Sequence, residues 1–285
     1  MLNILVTGGN GQLARCIKDA SSKYPNALTF SFRSSSELNI ADIAAVHKEF
    51  EMGGYHYCIN TAAYTNVDGA EQDTELAHMI NHRGAKNLAI ACDTYNTVLI
   101  HISTDFVFDG TQNVPYTEMD PTNALGTYGS SKLMGEQAIA SICKKYFIIR
   151  TSWLYSEYGS NFLKSMLQYG REREELSVVF DQIGTPTYAM DLAEVLLLFI
   201  QDKVADYGVY HYSNEGVASW YDFAKAIFDI NGISVQLNPI RSDAYPRPAK
   251  RPSYSVLDKT KIKKTLQIDI PYWQDSLIKA SKALK

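Results

Sequence analysis

A chain of 285 residues exceeds a minimal module and suits one large α/β domain, or a nucleotide-binding domain with a smaller second lobe. Apolar residues make up 46% and charged residues 20%, which excludes the low-hydrophobicity regime of intrinsic disorder. Lys plus Arg at 27 against Asp plus Glu at 31 leaves a net charge of -4, without the basic excess that nucleic-acid binding requires.

In chain order, residues 3–7 read as a short apolar strand running into glycines, and Gln12 to about Tyr24 as a helix. Ala27–Phe32 reads as a strand, Asp42–Phe50 as a helix, Tyr57–Ile59 as a strand and about Ala70 to Tyr95 as one long helix. Further strands are expected at Thr97–Ile102, Tyr146–Thr151 and Glu175–Val179. Pro239 to Pro252 is rich in Pro and Arg, and reads as an irregular loop over the site. An amphipathic helix is expected around Tyr272–Leu284. Strands alternating with helices predict an α/β fold, a Rossmann-type doubly wound parallel sheet that binds ligands at the carboxyl ends of its strands. A smaller C-terminal lobe would complete it.

Met1 to Val6 lacks the basic start and long apolar stretch of a signal peptide, and Val195–Ile200 is too short to span a bilayer, so a cytoplasmic location is expected. Cys16, Cys58, Cys92 and Cys143 stand singly and read as buried free thiols rather than a disulfide or zinc framework.

The first turn reads Thr7-Gly8-Gly9-Asn10-Gly11-Gln12-Leu13-Ala14, a Gly-x-x-Gly-x-x-Ala pattern between the first strand and the first helix. Gly8 and Gly11 let the backbone approach a pyrophosphate, whose charge suits the free N–H groups of a helix N-terminus. After the second strand come Arg33, Ser34 and Ser35, where an NAD-specific protein presents an acidic residue to the ribose; Arg and hydroxyls suit a 2′-phosphate. NADPH is therefore expected, with NADH also accepted because Glu37 lies nearby.

Ser103-Thr104-Asp105 ends a strand, and Tyr128-Gly129-Ser130-Ser131-Lys132 opens the next helix. Four residues on a helix place Tyr128 and Lys132 on one face, where the ammonium and the oxidised nicotinamide are expected together to lower the phenol's pKa. Tyr128 would pass a proton to a carbonyl oxygen that Thr104 also bonds, as hydride reaches the carbonyl carbon. Tyr221-Asp222-Phe223-Ala224-Lys225 repeats the spacing, but in an apolar helix with Trp220, Phe223, Ile227 and Phe228, so core packing accounts for it. His78 and His82 have zinc-ligand spacing without the intervening Glu or a third ligand, and no Gly-x-Ser-x-Gly elbow occurs.

With these elements, the chain resembles the extended short-chain dehydrogenases and, more narrowly, the dTDP-4-dehydrorhamnose reductase family. The resemblance covers nearly the whole chain. Its segments are Asn60 to Asp68 with Glu71, Ser103 to Gly110, Tyr128 with Lys132, Arg150-Thr151-Ser152-Trp153, Asn161-Phe162, Asp181-Gln182, Pro186-Thr187, and Tyr245 to Ala249 with Arg251-Pro252. It implies NADPH-dependent reduction of the C4 keto group of a dTDP-linked 4-keto-6-deoxyhexose, the last step toward dTDP-L-rhamnose for surface polysaccharide. By position, Gly11, Gln12 and Leu13 should meet the pyrophosphate, Asn39 and Ile40 the adenine side, and Ala62, Ala63, Tyr64 and Thr65 the middle of the cofactor. Val67, Thr104, Asp105, Tyr128, Trp153 and Arg251 should meet the sugar nucleotide, while Tyr128 and Lys132 touch the cofactor as well.

The resemblance also implies a division into a cofactor domain, 1–150 with part of 171–215 returning to it, and a substrate lobe made of 151–170 and 216–285. The chain departs from the family pattern at Ala14, in place of a third glycine, and at Asn39, where many members have Asp. Some members hold magnesium between subunits with glutamates at positions that align with Cys16 and Met190; neither suits a hard cation, so no metal is expected and monomer and homodimer both stay open. Three alternatives remain: a 4-keto reductase with a different product, a non-catalytic NADP-binding regulatory subunit like those of methionine adenosyltransferase, and a nucleotide-sugar epimerase.

Overall fold

The computed structural model describes residues 1–23 and 28–284. Six parallel strands form the central sheet: β1 (Leu2–Thr7), β2 (Leu28–Arg33), β3 (Tyr57–Asn60), β4 (Val98–Thr104), β5 (Tyr146–Thr151) and β10 (Gly208–His211). Their spatial order, β10-β5-β4-β3-β1-β2, runs outward in both directions from β1, so the sheet is doubly wound and its crevice opens beside β1 and β3. Ile4, Leu5 and Val6 of β1 are fully buried, as expected of a strand covered on both faces.

On one face α1 (Gln12–Ser21) packs against α7 (Ala189–Gln201), with Ile4, Val6, Leu192, Leu196 and Phe199 in the shared core. The other face is covered by α2 (Ile43–Gly53), α4 (Ala85–Thr94) and α5 (Thr127–Ile142), around Leu5, Phe50, Leu88, Leu99 and Ile148. Asp42 starts α2 by accepting from the N–H groups of Ala44 and Ala45, and Gly54 ends it with a left-handed φ of 54°. The expected extension of the first helix to Tyr24 and the expected start of the second strand at Ala27 lie outside the described residues.

Beyond the sheet, β6 (Leu154–Tyr155) pairs with β9 (Thr187–Tyr188), β8 (Ile183–Gly184) with β11 (Ala218–Ser219), and β7 (Glu175–Val179) with β12 (Gln236–Ile240). Helices α6 (Phe162–Glu172), α8 (Trp220–Asn231) and α10 (Trp273–Ala283) close over a third core containing Tyr155, Leu163, Phe223 and Leu277. Ser219 and Asp222 form a capping box at the start of α8. The short α9 (Thr260–Leu266) lies against β10.

Three sequence expectations change. The single helix expected from Ala70 to Tyr95 is a chain of pieces: a 3₁₀ turn at Gly69–Glu71, α3 (Thr74–His78), a π-helical turn at Met79–Gly84, and α4. The π turn carries Asn81, whose side chain turns inward to bond loop and helix neighbours. The expected strand Glu175–Val179 forms, but in a separate two-stranded sheet. Its partner β12 includes Pro239 and Ile240, placed by sequence in an irregular loop; a sheet of two strands has free edges, where a proline's missing N–H costs little.

α5 is fixed by buried charge. Glu136, on the face turned to the sheet, receives Nε and Nη2 of Arg150 from β5 and the hydroxyl of Ser103 from β4. Both charged side chains are nearly sealed, at 5% and 6% exposure. Removing one partner strands the other charge in a low dielectric, so Glu136→Gln should cost about 3–5 kcal/mol of unfolding free energy in denaturant titrations.

Candidate active site

A cavity of about 760 Å³ runs along the carboxyl ends of the strands, from the turn after β1 to the third core. At one end is the glycine turn. Gly8 has a φ of +71°, and a Cβ there would come within 2.8 Å of the Ala62 backbone, so only glycine lets the β1 and β3 loops meet. Gly9 N–H bonds to Arg33 O and Gly11 N–H to Gly8 O, both at 2.8 Å, which fixes the turn to the end of β2. Gly11 caps α1 with no side-chain acceptor, so its first-turn N–H groups are left for an anion. Gln12 ties this end to the far wall, donating to Leu154 O at 3.2 Å and accepting from Ser156.

Of the residues expected to hold the cofactor, Gly8, Gly11, Gln12, Leu13, Asn39, Ile40, Ala62, Ala63, Thr65, Tyr128 and Lys132 line this cavity. Three do not. Arg33 Nε donates to Glu49 at 2.9 Å. Ser34 is buried, with its N–H and hydroxyl both given to Glu37, and the neighbouring Ser35 lines the cavity instead. Tyr64 turns its hydroxyl outward to Asp73 at 2.9 Å. The expected substrate residues Val67, Thr104, Asp105, Tyr128, Trp153 and Arg251 all face the cavity.

At mid-cavity, Thr104 ends β4 and caps the short turn Asp105–Val107 by accepting from Phe106 N–H. Tyr128 stands on the first turn of α5 and meets Phe106 edge to face. Lys132, one turn on, is 2% exposed. Its Nζ donates to Ile102 O at 2.6 Å and lies 3.3 Å from His101 Nε2. Burial lowers the amine to about 8, against the pull of Glu136. The ammonium effect expected on Tyr128 is not what governs the phenol: burial pushes it up to about 12, a hydrogen bond with Thr104 lowers it, and the charge of Asp105 raises it. Lys132 Nζ is turned to the Ile102 carbonyl and the His101 ring, and the sealed setting of the phenol is what dominates.

Asp105 is 1% exposed and raised to about 6 by burial, against hydrogen bonds from Ser255 and Thr104. Its Oδ2 and the Thr151 hydroxyl have no partner, and both residues line the cavity. At the far end Trp153 stacks on Trp220 with ring centres 3.6 Å apart. Arg251 and Arg247 both reach Asp68, which burial would raise but these two guanidiniums hold below the ordinary carboxylate range.

The family model described as RmlD substrate binding domain matches residues 2–285. The chain belongs to that family. A relative from Aggregatibacter actinomycetemcomitans named dTDP-4-dehydrorhamnose reductase is 40% identical over 291 residues, 97% of each chain. A dTDP-4-dehydrorhamnose reductase structure from Clostridium acetobutylicum superposes with a TM-score of 0.95 at 41% identity, covering 99% of both chains. One from Bacillus anthracis, in complex with NADP, gives 0.94 at 37% identity, covering 99% of this chain and 100% of its own.

Sequence reading missed several members of this RmlD-family site. Asn81 is buried and holds the Tyr64 backbone at both N–H and O, at 2.8 and 3.1 Å, while donating to Ser131. Trp220, read as core, lines the cavity. The second Tyr-x-x-x-Lys pair lies outside: Tyr221 packs in the third core and Lys225 pairs with Asp229 one turn away. Cys16 is buried and its thiol raised to about 12, chiefly by burial, so it stays protonated and does not suit magnesium; among the described residues no group of three or more His, Cys, Asp or Glu could hold a metal. No described helix is long and apolar enough to cross a membrane.

The raised pKa of Asp105 gives a signed test. Its ionised form is disfavoured in the folded state, so stability is fullest below about pH 4, the unfolded value, and declines as pH rises through about 6. Asp105→Asn removes that penalty and should be more stable than the parent by about 3 kcal/mol above pH 7, with the gap closing near pH 4 in denaturant titrations across this range.

Proposed function

We propose that the protein reduces the C4 keto group of dTDP-4-dehydro-L-rhamnose with NADPH, giving dTDP-L-rhamnose for surface polysaccharide. One observation carries the reading: a single cavity joins an uncapped helix N-terminus, the Thr104–Tyr128–Lys132 group and an aromatic, arginine-edged far end. The names of its relatives and the NADP of the Bacillus anthracis structure support it. Residues 1–150, with part of 171–215, would hold the cofactor, and 151–170 with 216–285 the sugar nucleotide. The enzyme would work in the cytoplasm as a monomer or homodimer.

NADPH, when bound, supplies hydride to the carbonyl carbon. Glycine-turn N–H groups would take the pyrophosphate, and Ser35 is the hydroxyl available to the 2′-phosphate, since Arg33 and Ser34 are otherwise engaged. Lys132 would hold the nicotinamide ribose. Tyr128, raised to about 12, keeps its proton at neutral pH and gives it to the developing alkoxide, while Thr104 bonds the same oxygen. The unpartnered Asp105 Oδ2 would accept a sugar hydroxyl, the Trp153 face would cover the ring, and Arg251 would bind diphosphate oxygens as a fork.

Enzymatically generated dTDP-4-dehydro-L-rhamnose mixed with NADPH and the protein should give stoichiometric cofactor oxidation and dTDP-L-rhamnose, identified by NMR. A different 6-deoxyhexose would change the product, and bound cofactor without net consumption would replace reduction by epimerisation. Tyr128→Phe should lower kcat at least ~100-fold with NADPH affinity nearly unchanged. Tyr221→Phe should leave kcat intact; loss of turnover in that folded variant would move the acid to the other helix.

A further inference from the structure

Strand register lines up a polar row beneath the cavity: Thr7 of β1 is opposite Asn60 of β3, which is opposite His101 of β4. All three are buried, and none is assigned a role in the site above. Asn60 Oδ1 accepts from the Thr7 hydroxyl at 2.7 Å and from Ala62 N–H at 3.1 Å. A backbone N–H can only donate, so the amide cannot be reversed and Nδ2 must face His101 Nδ1, 2.8 Å away. Nδ2 in turn only donates, which makes Nδ1 an acceptor. A neutral imidazole then carries its proton on Nε2, toward Lys132 Nζ at 3.3 Å. Burial, and the charge of Lys132, keep His101 neutral by holding it well below its ordinary value.

An ammonium at Lys132 would set N–H against N–H at that contact. A neutral amine offers a lone pair to Nε2–H and still donates to Ile102 O. We propose that Asn60 and His101 form a one-way hydrogen-bond chain that favours the neutral amine of Lys132, making His101 a positioning residue that sets how readily this lysine gives up its proton.

The other titratable or charged groups of this region are Tyr128 and Glu136 on α5, Asp105 on the cavity wall, Arg150 on β5, which is paired with Glu136, and the buried His211 on β10, 3.5 Å from Arg150 Nη1. Glu136 favours the ammonium, so burial and the His101 contact act against it. Lys132 would then be charged at neutral pH yet close to exchange, and activity that needs the ammonium would fall as pH rises through about 8.

The chain makes a prediction opposite in sign to that of burial alone. His101→Phe removes the opposing N–H and should raise the Lys132 midpoint, whereas a more apolar surrounding by itself would lower it further. Asn60→Asp turns the chain around: its second carboxylate oxygen accepts from Nδ1–H, Nε2 becomes an acceptor, and the midpoint should again rise, each time by about one pH unit. The midpoint is read on the ligand-free protein by NMR titration of lysine labelled at Cε, the Lys132 signal being the one lost in Lys132→Met. The alkaline limb of kcat/KM for NADPH-dependent reduction should move with it.

An upward shift in His101→Phe, or in His101→Leu should the first not fold, supports the chain; an unchanged or lowered midpoint in either, or in folded Asn60→Asp, where the added carboxylate's charge acts in the same direction, overturns it. Only the kinetic arm rests on the proposed reduction. Failure of turnover with an upward NMR shift would sink the reductase reading and keep the chain, and turnover with an unmoved midpoint would do the reverse.

Discussion

The burial of two charged side chains from one face of α5 is the constraint on which the site depends. Tyr128, Lys132 and Glu136 follow one another at four-residue spacing, and the last two are sealed against β4 and β5. Each charge is met by a group that cannot move freely: Glu136 by Arg150 and Ser103, Lys132 by the Ile102 carbonyl. A small rotation of the helix would break several of these bonds at once. A buried ion pair adds little net stability after desolvation, so its effect here is on position. Ser103 immediately precedes Thr104, so the same network that fixes the helix also fixes the strand end across from Tyr128.

Close packing makes that arrangement possible. A Cβ at Gly135 would come within 2.3 Å of Asn81 O, so the glycine lets α5 lie directly against the π-helical turn. That turn costs a regular hydrogen-bond pattern, and in exchange presents the Asn81 side chain to the loop after β3 and to Ser131 of α5. The loop carrying Ala62 and Ala63 is thereby held between the glycine turn and α5. Gln12 then joins the glycine turn to residues 154–161, so both halves of the cavity wall share one anchor.

Much of this was legible in the sequence because it rests on local pattern. Short apolar runs alternating with helical stretches marked the sheet strands, and asking which Tyr-x-x-x-Lys follows a hydroxyl-bearing strand end picked the pair that lines the cavity. What was hidden depends on distant partners. Arg33 looks free for a phosphate until Glu49, sixteen residues on, takes its Nε. A π turn adds one residue to a helix without altering its apolar rhythm enough to be seen. Pro239 argues against a strand only if the sheet extends on both sides, and this one does not. Asn81 and His101 carry no motif, and Asn60 was read only as the start of a matching segment; what they hold comes from register and burial, neither of which is local.

The two ends of the cavity present their donors by different means, and the difference follows from how each is supported. At the glycine turn the donors are backbone N–H groups set by a hydrogen-bonded loop and a helix axis, so their directions exist before any ligand arrives. At the far end the donors are side chains on a segment stiffened by Pro246, Pro248 and Pro252, and Asp68 supplies what the backbone does not. By accepting from both Arg247 and Arg251 it holds two flexible guanidiniums together, Arg251 at the cavity edge, and removes much of their rotamer freedom. The same carboxylate offsets their charge, and the two guanidiniums in turn hold it ionised against its burial.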